Sequence, residues 1–166
     1  MGSAHHSLWF PDVAALLPWL ARLRRWEQPR VVFTNGCFDV LHRGHFELLE
    51  RCGELGEKLI VGVNTDVSVR RLKGLSRPIN TQVDRVYALS RIRGVDAVVL
   101  FDGATACDVV REVRPAVYVK GGDYTSAAIP EAAVVEEYGG RVEIVPLVPA
   151  LSTTLIVRRL LAEFPG

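Results

Sequence analysis

The chain has 166 residues, of which 49% are apolar, and its formal net charge is +1. This length and apolar content predict one domain with one buried core. Acidic and basic residues are nearly balanced, so the composition does not favour a nucleic-acid-binding protein, whose surface is broadly basic. A small anionic ligand held by local charges fits the composition better.

The cysteines and the N-terminus indicate where the protein works. Cys37, Cys52 and Cys107 form no close-spaced metal pattern, and an odd number is a poor disulfide framework. The sequence lacks the parts of a signal peptide, and no apolar run reaches the roughly 18 residues of a membrane span. Residues 1–7 are either native or an added tag, so the two histidines in them enter no metal argument. We therefore expect a cytoplasmic protein with no membrane partner.

Apolar periodicity predicts the order of the elements. Helical spacing indicates a lead-in helix within residues 11–26, which Pro18 is expected to kink or split. Beyond it, helical patterns alternate with short β-rich runs at residues 31–34, 59–63, 97–101, 116–119 and 142–147. The alternation predicts crossover helices and a parallel sheet. We therefore expect a helical lead-in, residues 1–29, and an α/β domain, residues 30–166, with a Rossmann-like open parallel five-stranded sheet and helices on both faces.

Several residues are predicted to mark helix ends. Gly56 and Gly94 stand where C-terminal caps are expected, and Pro130 is placed to open a helix. Thr105 with Asp108 resembles an N-terminal capping box. In an open sheet of this kind, ligands bind beyond the carboxyl ends of the strands. The loops that follow the strands are therefore predicted to carry the site.

Residues 34–45 follow the first β-rich run of that domain and read Thr-Asn-Gly-Cys-Phe-Asp-Val-Leu-His-Arg-Gly-His. Gly36 lets the backbone approach a phosphate, and a following helix N-terminus supplies unpaired N–H groups. His42 and His45, three apart around Gly44, can stabilise charge on one phosphoryl group. A lone helical histidine more often caps or packs, but the pair, the glycine and the position favour phosphate binding. No further ligands support a zinc site.

Residues 34–45 resemble the HxGH signature of the cytidylyltransferase-like nucleotidyltransferase superfamily. Further segments resemble the D-glycero-β-D-manno-heptose 1-phosphate adenylyltransferase family: Asn-Thr-Asp at 64–66, residues 68–74 and 77–80, Arg85, Val-Lys-Gly-Gly-Asp-Tyr at 119–124, and Ser-Thr-Thr at 152–154. The similarity runs from about Val31 to the last helix. HxGH alone identifies only the superfamily, whereas the ordered set is more specific.

The resemblance implies three groups of site residues and no protein metal ligand. The catalytic group is His42, His45, Lys73 and Arg77. The nucleotide-binding group is Thr34, Asn35, Gly36, Cys37, Phe38, His42, His45, Lys120, Gly121, Gly122, Asp123, Ser152, Thr153 and Thr154. The sugar-phosphate-binding group is Asp39, Asn64, Arg77 and Arg85.

Each matched segment also has a physical interpretation that follows from its own residues. Lys120 precedes two glycines that permit a tight turn and place a cation near a phosphate, although a lone lysine is usually just solvated. The hydroxyls at 152–154 can cap the last helix, and its free N-terminus can hold β- and γ-phosphates. The basic segment 70–85 is a charge run with a loop that, in the family, closes over the site. There Asn80 is expected to start the next helix and orient Arg85.

The resemblance implies an enzyme in which a sugar 1-phosphate oxygen attacks the α-phosphorus of ATP and pyrophosphate leaves. Mg²⁺ would be bound mainly through the triphosphate. The resemblance also implies a homodimer. Many relatives carry a fused sugar kinase for which these 166 residues have no room, so we expect a separate kinase to supply the substrate.

Other interpretations stay open at this point. One is a cytidylyltransferase acting on glycerol 3-phosphate or another polyol phosphate, although the Lys120 loop favours adenine and heptose. Another is a nucleotide-sensing module without catalysis, against which the intact His42, His45 and residues 152–154 weigh. A dehydrogenase finds no support, because no G-x-G-x-x-G follows the first β-rich run of the α/β domain. Residues 129–132 replace a glycine-containing turn of the family, and Thr81 stands where a proline is common.

Overall fold

The computed structural model describes residues 7–122, 125, 128–146 and 151–163. Strands and helices alternate along these residues. In chain order they are β1 Leu8–Phe10, α1 Val13–Trp26, β2 Val31–Gly36, α2 Arg43–Glu54, β3 Lys58–Asn64, α3 Asp66–Lys73, α4 Gln82–Ser90, β4 Ala97–Phe101, α5 Cys107–Val113, β5 Val117–Gly121, α6 Pro130–Glu137, β6 Arg141–Val145 and α7 Thr153–Glu163.

The strands form one open sheet in the order β1-β4-β3-β2-β5-β6, and every pair is parallel. The predicted Rossmann-like α/β fold is confirmed, and all five β-rich runs are strands. The chain reverses its winding direction between β2 and β5. In such sheets that switch point opens a crevice at the carboxyl ends of the two strands.

The predicted number of five strands is wrong, because β1 adds a sixth at the edge next to β4. The lead-in therefore contains a strand as well as a helix. This strand has only three residues, and Leu8 and Trp9 are exposed at 47% and 57%. A strand is recognised in a sequence by the alternation of apolar and polar residues. Three residues with two exposed neighbours do not show that alternation.

The core lies in two layers, one on each face of the sheet. Alternate strand residues point to opposite faces, so Phe33 and Tyr118 pack with α1, α5 and α6, whereas Val32 and Val119 pack with α2 and α4. The expectation of helices on both faces is confirmed. Both faces are covered, which is why the central strands are almost continuously apolar.

Helix α1 runs unbroken through Pro18, so the helix is not split there. The proline lacks the N–H that would bond to Ala14, a defect that costs roughly 3 kcal/mol in a helix interior. Leu16, Leu20 and Leu23 lie on either side of it and are buried in the core. Burying each leucine contributes about 2 kcal/mol, so packing offsets the defect.

The predicted capping box of Thr105 and Asp108 is wrong. Helix α5 begins at Cys107, and its N-cap residue makes no side-chain cap bond. The backbone N–H of that residue, Ala106, instead donates to Glu131 Oε1 at 2.7 Å. A carboxylate from a neighbouring helix therefore does the work that a local side chain was expected to do.

Two predicted glycine caps are wrong, and one helix start is confirmed. The C-cap residue of α2 is Leu55, which has a right-handed conformation, and not Gly56. Gly56 has a different role: a Cβ at this position would lie 2.5 Å from the Arg30 carbonyl oxygen. Gly94, with φ of 89°, lies in the turn beyond α4. Pro130 opens α6 as expected. No helix among the described residues is long and apolar enough to cross a membrane.

Candidate active site

A cleft opens at the switch point, beyond the carboxyl ends of β2 and β5. It is lined by Asn35, Gly36, Cys37, Phe38, Asp39, His42, Gly44, His45, Leu48, Lys73, Lys120, Gly121, Leu151, Ser152, Thr153 and Thr154. Most of the residues that the sequence predicts for the site therefore lie together. They come from four separate parts of the chain: the loop after β2 with the start of α2, the end of α3, the end of β5, and the start of α7.

Some predicted residues do not line this cleft. Thr34 is buried in β2, and the N–H of Gly122 donates to Val145 O at 3.0 Å. Asp123 lies outside the described residues. The remaining three, Asn64, Arg77 and Arg85, are buried beside the cleft.

The two histidines are held against each other at the start of α2. His42 is the N-cap residue, and the centroids of the His42 and His45 rings are 3.9 Å apart. The His42 N–H donates to His45 Nδ1 at 3.3 Å. Since Nδ1 accepts a hydrogen bond, the proton of the neutral His45 ring is assigned to Nε2. His45 is thus a neutral hydrogen-bond donor beside a helix N-terminus, a combination suited to phosphoryl oxygens.

Burial keeps both rings uncharged near neutral pH. The pKa of His45 is lowered to about 4, first by desolvation and then by repulsion from Lys73 and from the protonated form of His42, while Asp39 opposes the shift. Desolvation also lowers the pKa of His42. Each neutral imidazole has one N–H that donates a hydrogen bond and one ring nitrogen that accepts one.

The low pKa of His45 predicts that the protein loses stability in mild acid. The unfolded histidine takes up a proton near pH 6.5 and the folded one only near pH 4, so the unfolded state binds more protons between these values. The free energy of unfolding should therefore fall as the pH drops from about 6.5 to 4. Urea titrations at several pH values should show a shallower fall in His45→Asn, and identical slopes would contradict the assignment.

The loop after β2 has an unusual backbone. Phe38 and Val40 have φ values of 50° and 49°, a left-handed conformation that is strained for a β-branched residue such as valine. Asp39 lies between them, and its carboxylate accepts from the N–H groups of Ile79 at 2.8 Å and Asn80 at 2.9 Å. Asp39 thus joins this loop to the basic loop between α3 and α4.

The start of α7 is joined to the same loop. Thr153 Oγ1 donates to the Asp39 carbonyl oxygen at 2.5 Å, and Ser152 Oγ accepts from the Leu155 N–H at 3.2 Å. The predicted capping role of Ser152 is confirmed. Thr154 is exposed at the rim of the cleft. The hydroxyls of Ser152 and Thr153 are therefore occupied by the protein. The N-terminus of α7 itself lies at the cleft, which Ser152, Thr153 and Thr154 line.

Arg85 is completely buried, and its guanidinium is engaged inside the protein. It donates to the carbonyl oxygens of Cys37, Asn64 and Asn80 and to Asp66 Oδ1, which lies 2.8 Å away. These acceptors belong to three loops around the cleft. Arg85 therefore positions the loops, and its predicted contact with a sugar phosphate has no support in its surroundings.

Asn64 and Asn80 also differ from expectation. The Asn64 amide donates to Ser68 Oγ at 2.9 Å and Gly103 O at 3.1 Å, so it faces the protein interior. Asn80 does not start the next helix, because Thr81 is the N-cap residue of α4. The expected link to Arg85 exists in another form, through the Asn80 carbonyl oxygen.

Lys120 belongs to a polar chain that sequence reasoning missed in part. Its Nζ donates to Tyr118 OH at 3.2 Å, and Tyr118 OH donates to Asn35 Oδ1 at 2.6 Å. Glu131 Oε1 lies 3.9 Å from Lys120 Nζ, and the Glu131 side chain is only 2% exposed. A glutamate beside Pro130, in a segment that departs from the family pattern, was the signal available in the sequence.

Removing the Lys120 ammonium should therefore leave the buried Glu131 carboxylate without a counter-charge and destabilise the folded protein. Lys120→Met leaves that carboxylate with the Ala106 N–H but without its cation, and we expect a loss of about 2 kcal/mol in the free energy of unfolding. Glu131→Gln in the same background should recover part of the loss. Urea denaturation of the four proteins in this double-mutant cycle measures the coupling. Additive effects would show that the two side chains do not interact.

No group of three or more His, Cys, Asp or Glu side chains that could bind a metal occurs among the described residues. Among the described residues, Asp39 is the only carboxylate that lines the cleft, and it already accepts from two backbone N–H groups. The described residues therefore offer a divalent cation few ligands, and a bound anion and water would have to supply the others. Mg²⁺ commonly binds in this way.

The fold and the cleft define an α/β protein with a polar cleft at the switch point of an open parallel sheet. Residues 33–159 match the family described as cytidylyltransferase-like. This match covers more than half of the chain, and the chain belongs to that family. It is accordingly a nucleotidyltransferase.

Curated relatives narrow the comparison. The chain is 43% identical over 164 residues to the bifunctional protein HldE of Syntrophotalea carbinolica. The aligned region covers 97% of this chain and 34% of that protein. It is 47% identical over 144 residues to the bifunctional protein HldE of Koribacter versatilis, covering 87% of this chain and 29% of the relative. The chain thus spans about a third of the length of the relatives that it matches.

Solved structures share the fold. A lipopolysaccharide core biosynthesis protein from Thermoplasma volcanium aligns with a TM-score of 0.58 and 28% identity, over 72% of this chain and 97% of the other. Pantothenate synthetase from Thermus thermophilus aligns with a TM-score of 0.61 over 96% of this chain and 77% of its own. The latter is 17% identical and bears on the fold alone.

Proposed function

We propose that this chain transfers AMP from ATP to a sugar 1-phosphate, D-glycero-β-D-manno-heptose 1-phosphate, and so forms ADP-heptose and pyrophosphate. The observation that carries the proposal is the convergence of the stacked histidine pair, two helix N-termini and two lysines on one cleft. The similarity to HldE proteins and to a lipopolysaccharide core biosynthesis protein supports the sugar-nucleotide direction.

The reaction needs positioning and charge neutralisation more than a nucleophilic side chain. An ionised oxygen of the sugar phosphate attacks the α-phosphorus in line, the bond to the β-phosphate breaks, and its electron pair leaves with pyrophosphate. His45 Nε2–H and His42 would donate to the oxygens of the α-phosphate. Lys73, at the mouth of the cleft, would neutralise charge that shifts toward the leaving group.

The two ends of the cleft suit two parts of the nucleotide. At the β5 end, the ammonium of Lys120 is balanced by Glu131 and tied to Tyr118 and Asn35, so this end favours the weakly charged nucleoside. At the α7 end, Lys73 has no ion-pair partner within the part of the chain that the structure describes, and the helix N-terminus adds N–H donors. This end favours the phosphates.

Magnesium fits this arrangement as a cation that arrives with the nucleotide. The lack of a carboxylate cluster among the described residues agrees with binding through phosphate oxygens and water. When bound, Mg²⁺ would neutralise triphosphate charge. The protein's own part is to orient the phosphates with the histidines and the two helix N-termini.

The wider setting belongs to the same proposal. We place the reaction in the cytoplasm, where ATP is available, and expect a homodimer. The acceptor is a sugar 1-phosphate, so a sugar-phosphorylating activity must supply it.

A substrate panel tests the proposal. The protein is incubated with Mg²⁺, with ATP or CTP, and with both anomers of heptose 1-phosphate, other sugar 1-phosphates and glycerol 3-phosphate, and pyrophosphate release is measured. We expect turnover with ATP and the β-anomer. Turnover with CTP alone would replace the proposal with a cytidylyltransferase, and no turnover with any pair would favour a nucleotide-sensing module.

A further inference from the structure

A cavity of about 400 Å³ lies at the amino ends of β2 and β5, at the opposite end of the sheet from the cleft. Its wall includes Val31, the first residue of β2, and Ala116, which immediately precedes β5. A strand of the length of β2 extends about 16 Å along its axis. A small ligand in this cavity would therefore not contact the residues that line the cleft.

Two arginines, Arg24 and Arg114, line this cavity, and no described carboxylate does. Arg24 Nη2 donates to the carbonyl oxygens of Val113 and Arg114, the second at 2.9 Å, at the end of α5. Neither arginine forms an ion pair within the part of the chain that the structure describes. Because the carbonyl groups at a helix end carry only partial charge, the cavity keeps an excess of positive charge.

The two guanidinium groups also repel each other. Burial lowers the pKa of Arg24, and the charge of Arg114 lowers it further. An anion between the two groups would replace this repulsion with two attractions, and screening by water is reduced within a cavity.

Tyr138 adds a hydroxyl group to the same cavity. The hydroxyl is buried and has no hydrogen-bond partner among the described residues, which is costly for a buried polar group. Burial raises the pKa of Tyr138 to about 12, against the opposing effects of Arg114 and Arg24, so the hydroxyl is a donor at neutral pH. The exposed Arg114 side chain lies over the Tyr138 ring, with Cζ 5.1 Å from the ring centroid.

Side chains, and not the backbone, would have to recognise a ligand here. The N–H groups of Gly139 and Gly140, which also line the cavity, already donate to Glu136 O at 3.0 Å and Val135 O at 2.9 Å. Two planar guanidinium groups and a hydroxyl supply more donors than the two oxygens of a carboxylate can use well. A phosphate group has further oxygens and pairs readily with guanidinium forks.

We propose that this cavity is an anion-binding site separate from the cleft, in which Arg24 and Arg114 bind a phosphate group and the Tyr138 hydroxyl donates to it. The ligand is inorganic phosphate or a small phosphate monoester. Arg114 would move from the tyrosine ring toward the anion and uncover the hydroxyl. The inference does not depend on the proposed function, because it concerns a different end of the sheet.

Nuclear magnetic resonance can separate binding here from binding in the cleft, because glycines line both. The amide signals of Gly139 and Gly140, the cavity glycines, report on this site, and those of Gly36 and Gly44, the cleft glycines, report on the cleft. The ¹⁵N-labelled protein is titrated with inorganic phosphate, methyl phosphate and acetate. At the cavity glycines we expect saturation by a phosphate compound with a dissociation constant of about 1 mM or lower, and acetate should bind about tenfold more weakly. Whichever phosphate compound binds more tightly identifies the ligand as the free ion or as a monoester.

Matched variants test the assignment to these side chains. Arg114→Gln should raise the phosphate dissociation constant at the cavity glycines about tenfold, as for the loss of one charged hydrogen bond, and leave that at the cleft glycines unchanged. Arg114→Lys should recover part of the loss, because it restores the charge without the planar fork. Tyr138→Phe should weaken binding about threefold. The control is Arg111→Gln, which removes an exposed arginine of α5 that pairs with Asp108 and does not line the cavity, and it should change the affinity by less than about twofold.

Several results would overturn the inference. One is the absence of saturation at the cavity glycines in the unaltered protein, and another is equal affinity for acetate. Equal losses in Arg114→Gln and Arg111→Gln would indicate a general effect of surface charge. Signals of the cavity glycines that follow those of the cleft glycines, with the same dissociation constant in every variant, would show an effect transmitted from the cleft. Unchanged affinity in Tyr138→Phe would exclude the role given to the hydroxyl.

Discussion

His45→Ala is expected to lower kcat for pyrophosphate release by about 10² to 10³, the usual loss when one preorganised donor to a phosphoryl or acyl oxygen is removed. His45 is partly buried and neutral, and its Nδ1 accepts from the His42 N–H. Its Nε2–H is therefore already aimed and already protonated when the nucleotide binds. The KM for ATP should change less than kcat, because the donor matters most as charge develops.

His45→Gln is the matched control for this prediction. The glutamine amide offers a neutral N–H donor at a reach similar to that of Nε2, so it should retain more activity than alanine. Circular dichroism should show that both variants are folded. An alanine variant with unchanged kcat would contradict the assignment of His45 to the reacting phosphate. Equal losses in both variants would indicate that ring packing against Phe38 and His42 is what matters.

Arg85→Met is expected to reduce the free energy of unfolding by about 3–5 kcal/mol, the loss typical when one member of a buried ion pair is removed. In the unaltered protein, the Asp66 carboxylate and three carbonyl oxygens accept hydrogen bonds from the Arg85 guanidinium, and the substitution removes this donor from all four. Activity should fall with stability, because those carbonyls lie in the loops that shape the cleft. Urea denaturation measures the first effect and pyrophosphate release the second.

Arg71→Met provides the comparison for Arg85. Arg71 also pairs with an aspartate, Asp102, but both side chains are about half exposed. Exposed pairs of this kind contribute little, so this variant should unfold almost as the unaltered protein does. If Arg85→Met is as stable as Arg71→Met and only the KM for the sugar phosphate rises, Arg85 binds substrate directly and the positional role is wrong.

The sequence predicts the fold well where pattern and burial agree. The central strands are apolar because helices cover both faces, and their alternation with helical segments identifies a parallel sheet before any coordinates are known. β1 escapes prediction because it is held by pairing with β4 and by neighbouring packing, not by its own pattern. Pro18 misleads for a similar reason, since local propensity is outweighed by three buried leucines.

The position of the site could be predicted from the sequence, but the contacts of its individual side chains could not. Carboxyl ends of parallel strands meet at one edge, so the motifs after β2 and β5 had to converge. Whether a polar side chain faces the cleft or the interior depends on tertiary packing, and so Asn64, Asp39 and Arg85 were assigned to the ligand although their polar groups bond to the protein. Glu131 was missed because its partner, Lys120, lies on another element.

The most direct test of the central claim follows the oxygen atoms of the acceptor. β-Heptose 1-phosphate labelled with ¹⁸O in its phosphoryl oxygens is incubated with ATP and Mg²⁺, and mass spectrometry locates the label. Attack on the α-phosphorus predicts ADP-heptose that retains the acceptor's label, and unlabelled pyrophosphate. Label in the pyrophosphate, or labelled heptose phosphate that remains unconverted, would contradict the account.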